Sequence, residues 1–529
     1  MALRVVDTEA ETRKTDLTAH PPGLYALFAT EMWERFSFYS MLALFTLYMQ
    51  DGKDGFSWTP AQATSLYSNY LMFVYASPLI GGWLADKILG YRRAVMIGGF
   101  FFMAGHGLLS IPALWAVYLA LVCLVIGNGF FKPNVSTMVG NLYPEGSHLK
   151  DRAYNIFYMG INIGAFLAPV VMEIVKTRWG FHPAFAIAAF GMVISVSILW
   201  IFKNKVENPE VLEAKKSGNA LPTVGRGAEM EAVSDARRIG ALIVIFLIVI
   251  VFWMVFHQNG STLTYWADDN TEWSVSGTIS NAINPFWIVT LTFPLVWFWK
   301  WLDKKGKEPS TPVKMCIGMT LTGLSFFILY VGAKQGEAMQ VRPESFASGS
   351  FRINERVLDS LRNDGVPENV LDRIKNAKDA EGKFIVLDRK FTKKDNLTGE
   401  QSLIAALEKT MPGETVAQHR SALLSRAYLF RVSPFWLIIA YAVISLGELM
   451  LSPMGLSLVS KVAPLRVRGM MMGGWFVATA IGNKLTAIGV YWSVWKQSSF
   501  FIILGGMALI MAVVLSTLLK PLKKAMPGV

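Results

Sequence analysis

The stretch EMWERFSFY (31–39) places Glu31, Glu34 and Arg35 within about one helical turn, inside a run that otherwise reads as a membrane-spanning helix. A charge at mid-bilayer costs at least ~2.5–3.5 kcal/mol on insertion scales, so such groups pair, face a cavity or mark the path of an ion or substrate. Their chemistry would be of two kinds: a guanidinium that holds an anion, and carboxylates that take up and release protons. Glu31, Arg35, Phe38 and Leu42 follow i, i+4, i+7, i+11 spacing and share one face, with Glu34 and Tyr39 beside them. A Glu four residues before an Arg can also form a merely structural pair near a helix end. Three ionisable groups one to two turns into the span weigh against that reading.

Two further apolar runs carry charge. In GNGFFKPNVSTM (127–138) Lys132 sits mid-span and calls for a carboxylate partner or an anionic substrate, while Gly127, Gly129 and Pro133 let the backbone bend and approach a neighbour. In GELMLSPMG (447–455) Glu448 and Ser452 lie on one face at i, i+4, and Pro453 is expected to kink the helix. Asn162 in FYMGINIG and Asn284 in NAINPFW add polar amides, and Tyr75, Trp253 and Trp475 are aromatic candidates for a cavity wall. Each aromatic alone fits ordinary packing; the coincidence with buried charge is what marks it. The GxG at 127–129 is no dinucleotide fingerprint, because no strand precedes it and the third glycine is absent. No HExxH, GxSxG or paired metal-ligand pattern occurs, and none of the six histidines has an i, i+4 partner of metal-binding type. Neither a membrane enzyme nor a metal site is expected.

The elements that must position these groups follow from composition. The chain is 53% hydrophobic and 17% charged, against about 25% charged in soluble domains. Apolar runs of spanning length fall at 24–49, 61–85, 94–111, 113–140, 153–175 and 182–202, then at 239–267, 277–301, 313–333, 434–459, 469–492 and 498–519. Lys and Arg gather in alternate loops, among them Arg92, Arg93, Arg152, Lys203, Lys304, Lys305, Arg466 and the tail lysines Lys520, Lys523 and Lys524, which predicts cytoplasmic termini. Residues 1–23 lack an apolar signal-peptide core. The net charge of +12 is spread over short loops, unlike the single basic stripe of a nucleic-acid binder. Cys123 and Cys316 lie in apolar runs, so no disulfide framework is expected. The expected organisation is a cytoplasmic tail (1–23), a six-helix bundle (24–202), a polar linker (203–238) and a second bundle (239–519). A helical external insertion (335–432) interrupts the second bundle, and a cytoplasmic tail (520–529) ends the chain. Within the insertion, Thr398 to Gln401 has a capping-box pattern. WLADKILGYRR (83–93) after the second run and WLDKKGK (301–307) after the eighth form an internal echo, as repeated halves of a secondary transporter would.

Together these motifs resemble the proton-coupled oligopeptide transporter (POT) family of the major facilitator superfamily. The family's ExxERFxYY appears as EMWERFSFY, and GNGFFKPNVS, FYMGINIGAFLAP, FWMVFHQNGS and GELMLSP match its fourth-, fifth-, seventh- and tenth-helix signatures. GGWLADKILGYRR resembles the superfamily's loop motif, and the matches run in order from residue 31 to about 484. The resemblance implies an all-α integral membrane protein with the major facilitator fold, twelve transmembrane helices in two six-helix halves. The 203–238 linker is too short and polar for the two extra helices of many bacterial relatives. It implies a symporter that imports di- and tripeptides with protons by alternating access, as a monomer in membrane lipid, in the bacterial cytoplasmic membrane. The proton is the coupling ion, with no other cofactor and no nucleic acid partner. Arg35 and Lys132 would hold the peptide carboxylate and Glu448 its amino group, with Asn162 and Asn284 on the backbone and amino end. Tyr39, Tyr75, Trp253, Ser452 and Trp475 would line the cavity, and Glu31 and Glu34, exchanging partners with Arg35 and Lys132, would carry the proton.

Three positions depart from the family pattern. Leu42 stands where many relatives carry a second Arg, and His257 where several carry its acidic partner, so the outer gate must close differently. Ser68 stands where mammalian members have a histidine, which leaves proton handling to the first-helix acids. A transporter of the same fold for nitrate or a drug-like anion, or a proton/drug antiporter, is the competing reading. Members with non-peptide substrates commonly lose ExxER, which is intact here.

Overall fold

The computed structural model describes residues 19–58, 60–145, 147, 149–207, 229–230, 232–260, 262–272, 283–338, 346, 349–380, 382–393 and 396–528. Among the described residues six helices precede residue 208: α1 (Pro22–Gln50), α2 (Pro60–Leu84), α3 (Tyr91–Leu108), α4 (Leu114–Asn141), α5 (Leu149–Trp179) and α6 (Phe181–Ile201). After residue 228 come α7 (Asp235–Phe256), α8 (Thr262–Asn270), α9 (Ile283–Lys304) and α10 (Thr311–Ala338). Four short helices follow, α11 (Glu355–Asn363), α12 (Glu368–Asn376), α13 (Gly399–Glu408) and α14 (Gly413–Ala427). The chain ends with α15 (Phe435–Leu449), α16 (Ser452–Val462), α17 (Arg468–Leu485) and α18 (Gln497–Ala525). Among the described residues, seven helical stretches are long and apolar enough to cross a membrane. Large apolar side chains such as Trp115, Phe190, Trp200, Leu247, Trp297 and Ile510 face outward, as a lipid-covered surface requires.

The sequence expectation needs adjusting in three places. The seventh run is not one helix: α7 stops at Phe256, a 3-10 turn covers His257–Gly260, and α8 resumes at Thr262. The tenth, where Pro453 is expected to give a kink, is interrupted outright between Leu449 and Ser452, with Leu451 distorted to φ −118°, ψ −54°; Pro453 then occupies the first turn of α16, where its missing N–H is harmless. The linker ends earlier than 238, since α7 begins at Asp235. Most of that linker (208–228) and the start of the eighth run (277–282) lie outside the described residues.

Within the first set α1 packs on α5 and α6, and α3 on α4; within the second α10 packs on α15 and α18. The two sets meet where α2 crosses α17 and α5 crosses α9. Small residues permit these crossings. A Cβ on Gly81 of α2 would lie 1.9 Å from the Gly129 carbonyl oxygen of α4, and one on Gly82 would lie 2.1 Å from the Gly469 carbonyl oxygen of α17. Gly81→Ala should therefore push two helices apart and destabilise the protein by about 1–3 kcal/mol. A thermal melt in detergent checks this against Gly506→Ala, where an added Cβ meets nothing within 4 Å.

The echoed loops do related work at the end of the bundle that carries the chain termini. After α2 a short π-turn (Ala85–Leu89) ends at Gly90, whose φ of +74° suits glycine. This aims the Asp86 carboxylate at the first amides of α17, accepting from Gly469 N at 3.0 Å and Met470 N at 2.8 Å. After α9, Gly306 (φ +63°) makes the corresponding turn, and Asp303 accepts from Arg152 at the start of α5 at 2.5 Å. Arg468 of α17 reaches back to Asn141 Oδ1 and Glu145, both at 2.8 Å. Burial opposes the charge on Glu145, but Arg468 and Lys150 outweigh it and hold its carboxyl below the usual range.

At the opposite end the insertion forms its own small core, with Phe351, Leu361, Ile374, Leu403 and Leu423 buried together. Its helices α11–α14 flank a two-residue antiparallel pair, β1 (Phe351–Arg352) and β2 (Lys390–Phe391). The capping box of α13 is present, Thr398 N donating to Gln401 Oε1 at 2.8 Å and Gln401 N to Thr398 Oγ1 at 3.2 Å. Buried Asp269 at the end of α8 anchors this unit through Arg352 (2.5 Å) and Lys390 (2.8 Å).

Candidate functional site

A cavity of about 1100 Å³ lies between the two helix sets. It runs from Lys132 and Leu456 toward Leu47, Glu173 and Asn259, at the end that carries the insertion. At the other end the Asp86, Arg468 and Arg152 contacts close the bundle. All ten residues expected to touch substrate line this cavity: Arg35, Tyr39, Tyr75, Lys132, Asn162, Trp253, Asn284, Glu448, Ser452 and Trp475. Glu31 and Glu34 do not line it. They stand behind the two cations, fully buried.

One wall is a four-charge cluster. The Arg35 guanidinium is bidentate on Glu34, Nε to Oε2 and Nη2 to Oε1, both at 2.5 Å. Lys132 Nζ donates to Glu31 Oε1, and Arg35 Nε lies 3.6 Å from that same oxygen. Two carboxylates and two cations thus cancel, which is what makes burial of all four tolerable. The balance leaves one loose end: Glu31 Oε2 is buried without a hydrogen-bond partner among the described residues. Arg35 also lies over the Phe38 ring, 4.4 Å from its centroid.

The facing wall is a carboxylate held without a cation. Glu448, near the end of α15, accepts from the Tyr158 hydroxyl on Oε1 and from Asn284 Nδ2 on Oε2 at 2.9 Å. Among the described residues no Lys or Arg pairs with it. Asn284 is steadied by Ser445 Oγ at 2.9 Å, and Asn162 Nδ2 donates to its own helix at Tyr158 O, 3.0 Å. One turn on from Glu448, Ser452 lies within hydrogen-bonding reach of the Tyr158 hydroxyl, and Trp253 Nε1 is buried without a partner among the described residues. Trp475 is fixed edge-on to Phe246 and fills the space left by Gly455, where a Cβ would fall 1.9 Å from its ring.

Sequence reasoning missed Tyr158. Its signal was the i, i+4 relation to Asn162 in FYMGINIG, which puts both on one helix face. His257 also faces the cavity, with Nδ1 3.1 Å from Trp253 O, whereas Leu42 is half-buried against the core and Ser68 is exposed, bonded to Ser65 O at 3.0 Å. No group of His, Cys, Asp and Glu among the described residues is arranged to hold a metal ion.

Comparison with known proteins decides the family. The family model described as POT family matches residues 92–221, 200–354 and 402–505. A di-/tripeptide transporter of Lactococcus lactis subsp. cremoris is 30% identical over 98% of this chain and 99% of that protein. The chain belongs to the POT family. An uncharacterized transporter of Bacillus subtilis (strain 168) is 27% identical over 96% of both chains. A crystal structure of a POT peptide transporter in complex with alafosfalin superposes with a TM-score of 0.58 at 26% identity, covering 99% of this chain and all of that one. This POT protein is therefore a multi-pass helical membrane transporter.

Proposed function

We propose that the protein is a proton-coupled symporter that imports di- and tripeptides by alternating access, with twelve spans in two six-helix halves. The observation that carries this reading is the split of charge across the cavity: Arg35 and Lys132 on one wall, and the cation-free carboxylate of Glu448 on the other. A short peptide is a zwitterion, so only a ligand with both ends charged satisfies both walls at once. Arg35 and Lys132 take the carboxylate, Glu448 takes the amino group, and Asn162 and Asn284 serve the peptide backbone and amino end. Tyr39, Tyr75, Trp253, Ser452 and Trp475 shape the space between. The di-/tripeptide transporters among the relatives and the peptide-transporter crystal structure point the same way.

Coupling follows from the neutral cluster. While Glu31 and Glu34 are ionised they occupy Lys132 and Arg35. A proton on the unpartnered oxygen of Glu31 releases Lys132 to the substrate carboxylate, so proton and peptide bind together. The basic loops, at the same end as the chain termini, face the cytoplasm, and the cavity opens outward. With Leu42 and His257 in place of an ion pair, the outer mouth closes without a salt bridge between these two positions.

The test is uptake of labelled dipeptide into proteoliposomes with and without an inward proton gradient. Accumulation should require the gradient and be competed by di- and tripeptides, weakly by tetrapeptides and not by nitrate. Gradient-independent uptake, or competition by nitrate alone, would overturn the assignment.

A further inference from the structure

At the end bearing the chain termini a single carboxylate gathers an unusual number of partners. Asp151, in the first turn of α5, is 3% exposed. Its Oδ1 accepts from Ser457 Oγ at 2.6 Å, Lys461 Nζ at 2.6 Å and Thr311 Oγ1 at 3.1 Å; its Oδ2 accepts from Lys314 Nζ at 2.7 Å and Thr311 Oγ1 at 3.1 Å. Every one of these partners lies on α10 or α16, in the second helix set. Asp151 itself belongs to the first. Its neighbour Arg152 extends the seam to Asp303 (2.5 Å) and Glu308 (3.2 Å). None of these residues lines the central cavity.

We propose that Asp151 is the hub of the inner gate, a positioning residue that sets the balance between outward- and inward-facing states. A carboxylate satisfied wholly from across a seam is satisfied only while the seam is shut. Opening this end separates Asp151 from two ammonium groups and two hydroxyls at once, and water must replace them all. The partners are not equivalent. Lys314 keeps its direct bond to Glu308 (2.7 Å) if Asp151 is neutralised, whereas among the described residues Lys461 keeps a hydrogen bond to Thr311 Oγ1 (2.8 Å) and no direct bond to a carboxylate, with Glu308 acting on it at longer range. Neutralising Asp151 therefore strands one specific charge, that of Lys461, in the closed seam. Removing that charge as well should restore closure. The hub differs from the Asp86 contact, whose carboxylate accepts from the backbone amides of Gly469 and Met470 and from the Tyr91 hydroxyl.

The proposal rests only on alternating access, and its readout needs neither substrate nor protons, so a wrong substrate assignment would leave it standing. Spin labels at Arg93→Cys and Lys305→Cys, on a background with Cys123 and Cys316 replaced by serine, report the separation of the two sets at this end by electron–electron resonance. Asp151→Asn should raise the ratio of open to closed distances by roughly tenfold or more. Asp151→Asn with Lys461→Met should return it most of the way. If Asp151→Asn does not fold, Lys461→Met alone should shift the ratio in the same direction by less, because Lys314 still holds Asp151. An unchanged distance distribution in Asp151→Asn, or a shift that Lys461→Met fails to reverse, would overturn the assignment.

Discussion

Lys132→Ala is expected to lower proton-driven dipeptide uptake by about a hundredfold or more, because it removes the proposed carboxylate anchor and takes from Glu31 its closer cation, leaving only Arg35 at 3.6 Å. The two effects can be separated. Unpairing a buried carboxylate also destabilises the fold, so Lys132→Ala alone should melt several degrees lower than the parent protein. Adding Glu31→Gln removes the stranded charge and should recover the melting temperature, since nothing ionised is then left facing the vacancy. Transport should not recover, because neither the substrate contact nor the proton exchange is restored. Glu31→Gln alone should permit peptide exchange across the bilayer while losing accumulation against a gradient. If Lys132→Ala and Glu31→Gln each kept full gradient-driven uptake, the coupling scheme would fail.

The second large effect lies on the facing wall. Glu448→Gln should raise KM for peptides with a free amino terminus by roughly 10- to 100-fold, the worth of a charge-assisted hydrogen bond at about 1.5–3 kcal/mol. The diagnostic is selectivity. The parent protein should discriminate strongly against N-acetylated peptides, and Glu448→Gln should lose most of that discrimination. Tyr158→Phe removes one donor to the same carboxylate and leaves its charge, so a smaller rise in KM is expected, with preference for the free amino terminus retained. Competition assays in proteoliposomes separate these outcomes. Equal loss for free and acetylated peptides in Glu448→Gln would place the amino group elsewhere.

Much of this site is legible in the chain because membrane burial makes charge conspicuous. Glu31, Glu34, Arg35, Lys132 and Glu448 stand out in apolar runs where each is expensive, and expensive residues need a reason. Helical periodicity then assigns faces, and so Ser452 can be placed with Glu448. The capping box at Thr398 is equally local, a contact between residues three apart. Breaks in helices are less legible. The turn at His257–Gly260 falls on the polar stretch HQNG inside an otherwise apolar run, and it is steadied by distant groups: Gln258 Nε2 donates to Thr486 O at 3.1 Å, and the Tyr441 hydroxyl donates to Asn259 O at 3.1 Å.

By itself the sequence determined which groups must avoid lipid, how many apolar runs compete to span it, and which motifs mark the family, since these depend on composition and on spacing along one helix. Only the tertiary structure decided partnership. Lys132 meets Glu31, Arg35 meets Glu34, and Glu448 meets Tyr158 and Asn284, although the cations could have been shared among the acids in other ways. Likewise Asp151 reads in the chain as one acid in a loop-proximal turn, DRAYN. Its partners, Thr311, Lys314, Ser457 and Lys461, lie 160 to 310 residues away along the chain. The physical reason is the same in both cases. Pair energies in a low-dielectric interior depend on distances of a few ångströms between helices, and spacing along one helix carries no information about which neighbour arrives.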